Sequence, residues 1–101
     1  MKIVWSDNAK TQLKKIYHFY LEIAGEKVSK SIRNKLIEKP KSLIDYPELG
    51  QVEENPAVVG REFRYLVEGH HKLVYKIYNE RNVILIAAVF DTRQNPSSLK
   101  A

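Results

Sequence analysis

Residues 61–96 read REFRYLVEGHHKLVYKIYNERNVILIAAVFDTRQNP, and this stretch decides the fold. Phe63, Tyr65 and Val67 alternate with Glu62, Arg64 and Leu66. After Gly69, His71, Leu73, Tyr75 and Ile77 alternate with Lys72, Val74, Lys76 and Tyr78. A period of two sends successive side chains to opposite faces of a strand, so both segments predict half-buried β-structure, with the His71 to Ile77 set toward the core. Glu68-Gly69 predicts a tight hairpin, because glycine accepts positive φ, and Asn79 to Asn82 predicts a second turn. Val83 to Phe90 is apolar at every position, the mark of a strand interior to its sheet. Three antiparallel strands follow, and the cations they carry, Arg61, Arg64, Lys72, Lys76 and Arg93, are expected to line a solvent face suited to an anionic partner.

Outward from these strands, Ile3-Val4-Trp5 is too short to stand alone and is expected to join the same sheet. Ser6 suits a helix N-cap, with Asp7 in the first turn where the helix dipole favours negative charge. Ala9, Leu13, Ile16, Tyr17, Tyr20, Ile23 and Ala24 recur at helical spacing up to a stop at Gly25. Val28, Ile32, Leu36 and Ile37 repeat that spacing in a second helix from about Glu26, and so short a link predicts an antiparallel helix hairpin. Pro40 removes a donor and crowds the preceding turn, which predicts a break near Glu38 with Leu43 and Ile44 packed beneath it. Asp45 to Gly60 holds Pro47, Gly50, Pro56 and Gly60 without any period and reads as a surface loop, its Asp45, Glu48, Glu53 and Glu54 solvated.

The chain has 101 residues, enough for one domain spanning 1–101 and too few for two. Its 17 basic and 12 acidic residues give a formal charge of +5, which favours polyanions or an acidic protein partner. Cysteine is absent, which excludes disulfides and thiolate chemistry. No apolar run approaches the ~18 residues of a membrane span and no signal pattern precedes Ser6, so a cytoplasmic protein is expected. His70 and His71 are neighbours and should point apart, which disfavours a shared metal, and no metal site or cofactor is expected.

Three motifs carry a resemblance: Arg61-x-x-Arg64 leading a hairpin, Gly69-x-x-Lys72-Leu73-Val74-Tyr75, and a Val/Ile-rich strand ending at Asp91-x-Arg93. With Lys2-Ile3-Val4-Trp5, two helices and the Tyr46-Pro-Glu-Leu-Gly50 turn in order, nearly the whole chain resembles the RelE/ParE superfamily of toxins from type II, plasmid-stabilising toxin–antitoxin systems. The resemblance implies an α+β fold of order β-α-α-β-β-β, a helix hairpin packed on a small, mainly antiparallel four-stranded sheet. In the RelE branch, ribosome-dependent mRNA endonucleases let a 2′-hydroxyl attack the adjacent phosphate, which requires a base, an acid and charge-stabilising cations. Arg64 and Lys72 match two of that branch's cation positions and Arg93 lies at or near a third, but the tail Gln94 to Ala101 has neither the Tyr nor the His that would move protons. One of His70 and His71, beside the cation-bearing face, could serve a nuclease as acid or base, although an ordinary hairpin histidine is the plainer account. The ParE branch keeps the scaffold without that proton-transfer set, and its toxins inhibit DNA gyrase by binding.

Three activities therefore fit the sequence. One is a ParE-like inhibitor of DNA gyrase silenced by a cognate acidic antitoxin, with Arg61, Arg64, Lys72, Lys76 and Arg93 as target-binding residues. The second is a RelE-like endonuclease acting on ribosome-bound mRNA through Arg64, Lys72, Arg93 and His71. The third is a nontoxic relative that still pairs with an antitoxin. Exposed strand cations also maintain solubility and protect sheet edges, the plainer account of Lys76 and Arg61, and Arg64 has a structural alternative as partner of Glu62 or Glu68.

Overall fold

The computed structural model describes residues 1–54 and 62–93 of the chain. A short strand, β1 (Lys2–Trp5), leads directly into helix α1 (Asp7–Ala24), whose N-cap Ser6 accepts a hydrogen bond from the Ala9 amide. Gly25, at φ 88°, ends α1 and starts α2 (Glu26–Glu38). Pro40 then breaks the α-helical ladder as expected, and the chain tightens into a 3₁₀ segment, Lys39–Ile44. Leu43 is buried beneath this segment, whereas Ile44 faces solvent, a correction to the expectation that both would pack. Three-residue spacing cannot bring two consecutive side chains under the same turn.

Strands β2 (Gln51–Val52), β3 (Phe63–Glu68), β4 (His71–Tyr78) and β5 (Val83–Asp91) complete a sheet of order β1-β5-β4-β3-β2. The chain is α+β, two helices on one mostly antiparallel sheet, with β1 parallel to β5. The sheet has five strands, one more than the sequence predicted, because Gln51 and Val52 pair with Tyr65 and Arg64 inside the segment that reads as loop. Two residues carry no periodic signal. The β3–β4 turn consists of Gly69, at φ 61°, and His70, with Glu68 facing His71 as the last cross-strand pair. The turn therefore lies one residue later than expected, and His70 is exposed at its tip while His71 begins the strand.

The larger core lies between the helices and the sheet and comprises Ala9, Leu36, Leu43, Leu66, Leu73, Tyr75, Ile84, Ile86 and Val89, with Ile3, Trp5, Leu13 and Ile16 packed against it. Burying each such aliphatic side chain stabilises the fold by about 1.5–3 kcal/mol. A smaller cluster of Val74, Ala88 and Phe90, flanked by Phe63 and Tyr65, occupies the opposite face of the sheet. Pairing slips by one residue where Val74 faces Ala88 and Tyr75 faces Ile86, so Ala87 bulges from β5. Its carbonyl accepts from the Ser6 hydroxyl and the Asn8 amide, while Gln12 accepts from the Val89 amide at 2.8 Å. Side chains of α1 thereby satisfy backbone groups at the irregularity and fix the helix over the sheet.

Candidate functional site

Cross-strand register assigns each strand cation to a face. Lys72 stands opposite Val67 and Lys76 opposite Phe63, both on the face away from the helices, with Tyr65 and Val74 between them. Arg64 stands opposite the buried Tyr75, on the helix side. The expectation that these cations line one surface is therefore corrected: side chains alternate along β3 and β4, and Arg64 is out of phase with the two lysines. Arg61 lies outside the described residues.

Arg64 closes over the chain entering β2. Its guanidinium donates to the carbonyl of Gly50 at 2.9 Å and to that of Glu48 at 3.4 Å. On the same segment the Tyr75 hydroxyl donates to the Pro47 carbonyl at 2.8 Å and accepts from the Gly50 amide at 2.9 Å. Burial pushes the Tyr75 phenol's pKa up, so it stays neutral and able to do both. Neither Glu62 nor Glu68 supplies the structural role considered for Arg64; backbone carbonyls do.

Lys72 holds the same segment from the opposite face. Its ammonium lies 2.5 Å from a Glu53 carboxylate oxygen and 4.0 Å from the centroid of the Tyr65 ring. The two charged side chains are 18% and 3% exposed, so this is a largely desolvated ion pair. Tyr65 is fixed in turn by donating from its hydroxyl to the Gln51 side chain at 2.9 Å. This corrects the expectation of a solvated Glu53: the acid and Lys72 are 19 positions apart, and only strand register brings them together. Lys76 stays on the open face beside Phe63 and Tyr78, its ammonium 5.1 Å from the latter's ring.

Arg93 belongs to a third environment, at the β4–β5 end nearest α1. Asp91 receives its guanidinium at 2.6 and 3.0 Å and its amide at 2.8 Å, and these bonds hold the Asp91 carboxyl down at about 2. Stability from this pairing is complete above the ordinary carboxyl pKa and is lost as pH falls toward about 2. Arg93 also donates to the Tyr20 hydroxyl at 3.3 Å, a neighbour the helical spacing gave no reason to connect with it. His71, opposite Asp91 and edge-on to Tyr20, is buried. Loss of hydration holds its pKa below 6.5, opposed by the nearby Asp91 charge. The folded chain thus binds fewer protons than the unfolded chain below that pH, and stability declines as pH falls. His71→Gln is expected to flatten the decline of the urea midpoint between about pH 6.5 and 5; an unchanged slope would place the titration elsewhere.

Among the described residues no group of acidic or histidine side chains is arranged to hold a metal ion, and no helix is long and apolar enough to cross a membrane.

A helix hairpin on one face of a mostly antiparallel sheet is a fold this chain shares with chains of solved toxin–antitoxin structures. The structure of a chromosomal ParDE toxin–antitoxin system from P. aeruginosa contains a chain 19% identical with a TM-score of 0.74, the match covering 90% of this chain and 95% of that one. The RelBE2 complex of Mycobacterium tuberculosis gives 16% identity and 0.66, covering 89% and 88%, and the E. coli RelBE complex gives 16% and 0.54, covering 92% and 98%. No curated protein matches in sequence. The family model for the ParE toxin of type II toxin–antitoxin systems, parDE, matches residues 3–96, and the chain belongs to that family.

Proposed function

We propose that this toxin inhibits DNA gyrase by binding it, without catalysis, and is neutralised by a cognate acidic antitoxin. The observation that carries this reading is the dispersal of the cations a nuclease would gather. Arg64 grips backbone carbonyls on the helix side, Lys72 is paired with Glu53 on the open face, and Arg93 is bound to Asp91 at the sheet's end. Phosphoryl chemistry needs such charges converging on one reacting group, and the buried His71 is poorly placed to exchange protons with a substrate. Membership of the ParE family supports the same reading. Lys76 and Arg93 are the described strand cations we assign to target contact; the Arg93 side chain is 59% exposed although Asp91 holds it. A net charge of +5 suits the acidic partner.

Induced expression in bacteria, followed by pulse-labelling with thymidine and methionine, tests the proposal. DNA synthesis is expected to fall within minutes while translation continues. One observation favours the alternative of an mRNA endonuclease: the Tyr20 hydroxyl lies beside Arg93, whereas the tail Gln94 to Ala101 contains no Tyr or His. An early fall in translation that Tyr20→Phe abolishes would establish that alternative.

A further inference from the structure

We infer that the turn at residues 46–49 is a rigid anchor for the toxin's protein target, in which Tyr46, flanked by Ile44 and Leu49, enters an apolar pocket edged by basic side chains. Gyrase is taken as that target, so the inference rests on the function proposed above.

Tyr46 is the most exposed large apolar side chain among the described residues, at 69%, and Leu49 and Ile44 are 56% and 44% exposed. The Leu49 amide donates to the Tyr46 carbonyl at 3.0 Å, closing a β-turn whose first and last residues lie within about 7 Å of each other. Clustering on one knuckle distinguishes these side chains from apolar residues scattered singly, which need no partner. The knuckle is also held still. Pro47 fixes its own φ, the Tyr46 amide donates to the Ser42 carbonyl at 3.1 Å, and beneath the turn the Tyr75 hydroxyl bonds the Pro47 carbonyl and the Gly50 amide. Arg64 adds to this hold through Glu48 and Gly50 without being its only source. A buried tyrosine is thus committed to a turn whose outward side chains stay largely in solvent. Backbone already ordered loses little freedom on docking, and a tyrosine ring orders with only two side-chain torsions.

Charge decides which partner fits. Asp45 and Glu48, both exposed, are interleaved with the apolar side chains although the chain as a whole carries +5. Arg64 lies on the inner side of the turn with its guanidinium directed at backbone carbonyls. An acidic rim disfavours phosphate and an acidic antitoxin, and favours a protein surface that presents lysine or arginine around an apolar pocket.

The test titrates purified gyrase with the full chain and its variants, reading affinity and inhibition of supercoiling together. Tyr46→Ala is expected to weaken binding roughly 30-fold, the loss typical of a central aromatic anchor, and Tyr46→Phe by no more than about threefold. Glu48→Lys should weaken binding roughly three- to tenfold through repulsion at the basic edge. Ile23→Ala, a truncation of an equally exposed apolar residue on α1, should leave affinity within about twofold. An unchanged urea midpoint shows that a variant is folded, and Glu48→Lys decides alone if Tyr46→Ala is not. If the toxin inhibits gyrase and Tyr46→Ala inhibits it equally, the anchor is overturned and the target stands. An equal loss from Ile23→Ala also overturns the anchor. So does tighter binding by Glu48→Lys, which would mean that DNA or an acidic surface meets the turn. An unaltered toxin that does not bind gyrase overturns target and anchor together.

Discussion

Gly50→Ala is expected to destabilise the toxin by about 1–3 kcal/mol, the usual cost of forcing atoms into a packed site. A Cβ at this position would lie 2.6 Å from the Tyr65 carbonyl oxygen and 2.6 Å from the Tyr75 hydroxyl. The first is backbone of a central hairpin and the second is fixed by two hydrogen bonds, so neither can withdraw cheaply. Tyr75→Phe is the complementary change. It keeps the buried ring but leaves the Pro47 carbonyl and the Gly50 amide without their shared partner, a loss of about 1–3 kcal/mol. Urea unfolding should show a lower midpoint for both variants with an unchanged slope, since the fold itself is retained. A midpoint shift within error for Gly50→Ala would mean that the segment before β2 does not sit against β3 and β4 as described.

Arg64→Ala should also destabilise, by about 1–2 kcal/mol, because hydrogen bonds from a charged donor are stronger than neutral ones but this side chain is only partly buried. Arg64→Lys should restore little of the loss. An ammonium lacks the planar fork that reaches the Glu48 and Gly50 carbonyls together. At a temperature where both variants remain folded, inhibition of the target should survive, since Arg64 acts on the chain's own backbone. Loss of inhibition in a stably folded Arg64→Ala protein would return this arginine to the target-binding surface.

The fold was legible because its signals are repeated. Eighteen residues of helical spacing between Ser6 and Gly25 leave little ambiguity, and neither does the alternation from His71 to Tyr78 or the unbroken apolar run before Phe90. What escaped was brief or non-local. Strand β2 has only two residues, and its existence depends on Arg64 and Tyr75 drawing the preceding turn onto the sheet. The candidate site was legible only as a set of residue types. Arg64, Lys72 and Arg93 could be singled out from the motifs, but their partners are backbone carbonyls, an acid from a distant segment, and a tyrosine on α1. Register decides those contacts, and a one-residue change of phase places Arg64 on the face opposite Lys72. A sequence shows which cations are present; the pairing of strands determines which of them remain available.

The claim that the toxin binds its target without cleaving anything is tested most directly with purified components. Gyrase supercoiling of a relaxed plasmid and the integrity of ribosome-bound mRNA would be followed side by side against increasing toxin. Inhibition of supercoiling that saturates with gyrase concentration, with the mRNA intact, is the predicted result. Cleavage of the mRNA by substoichiometric toxin, with supercoiling unaffected, would contradict it.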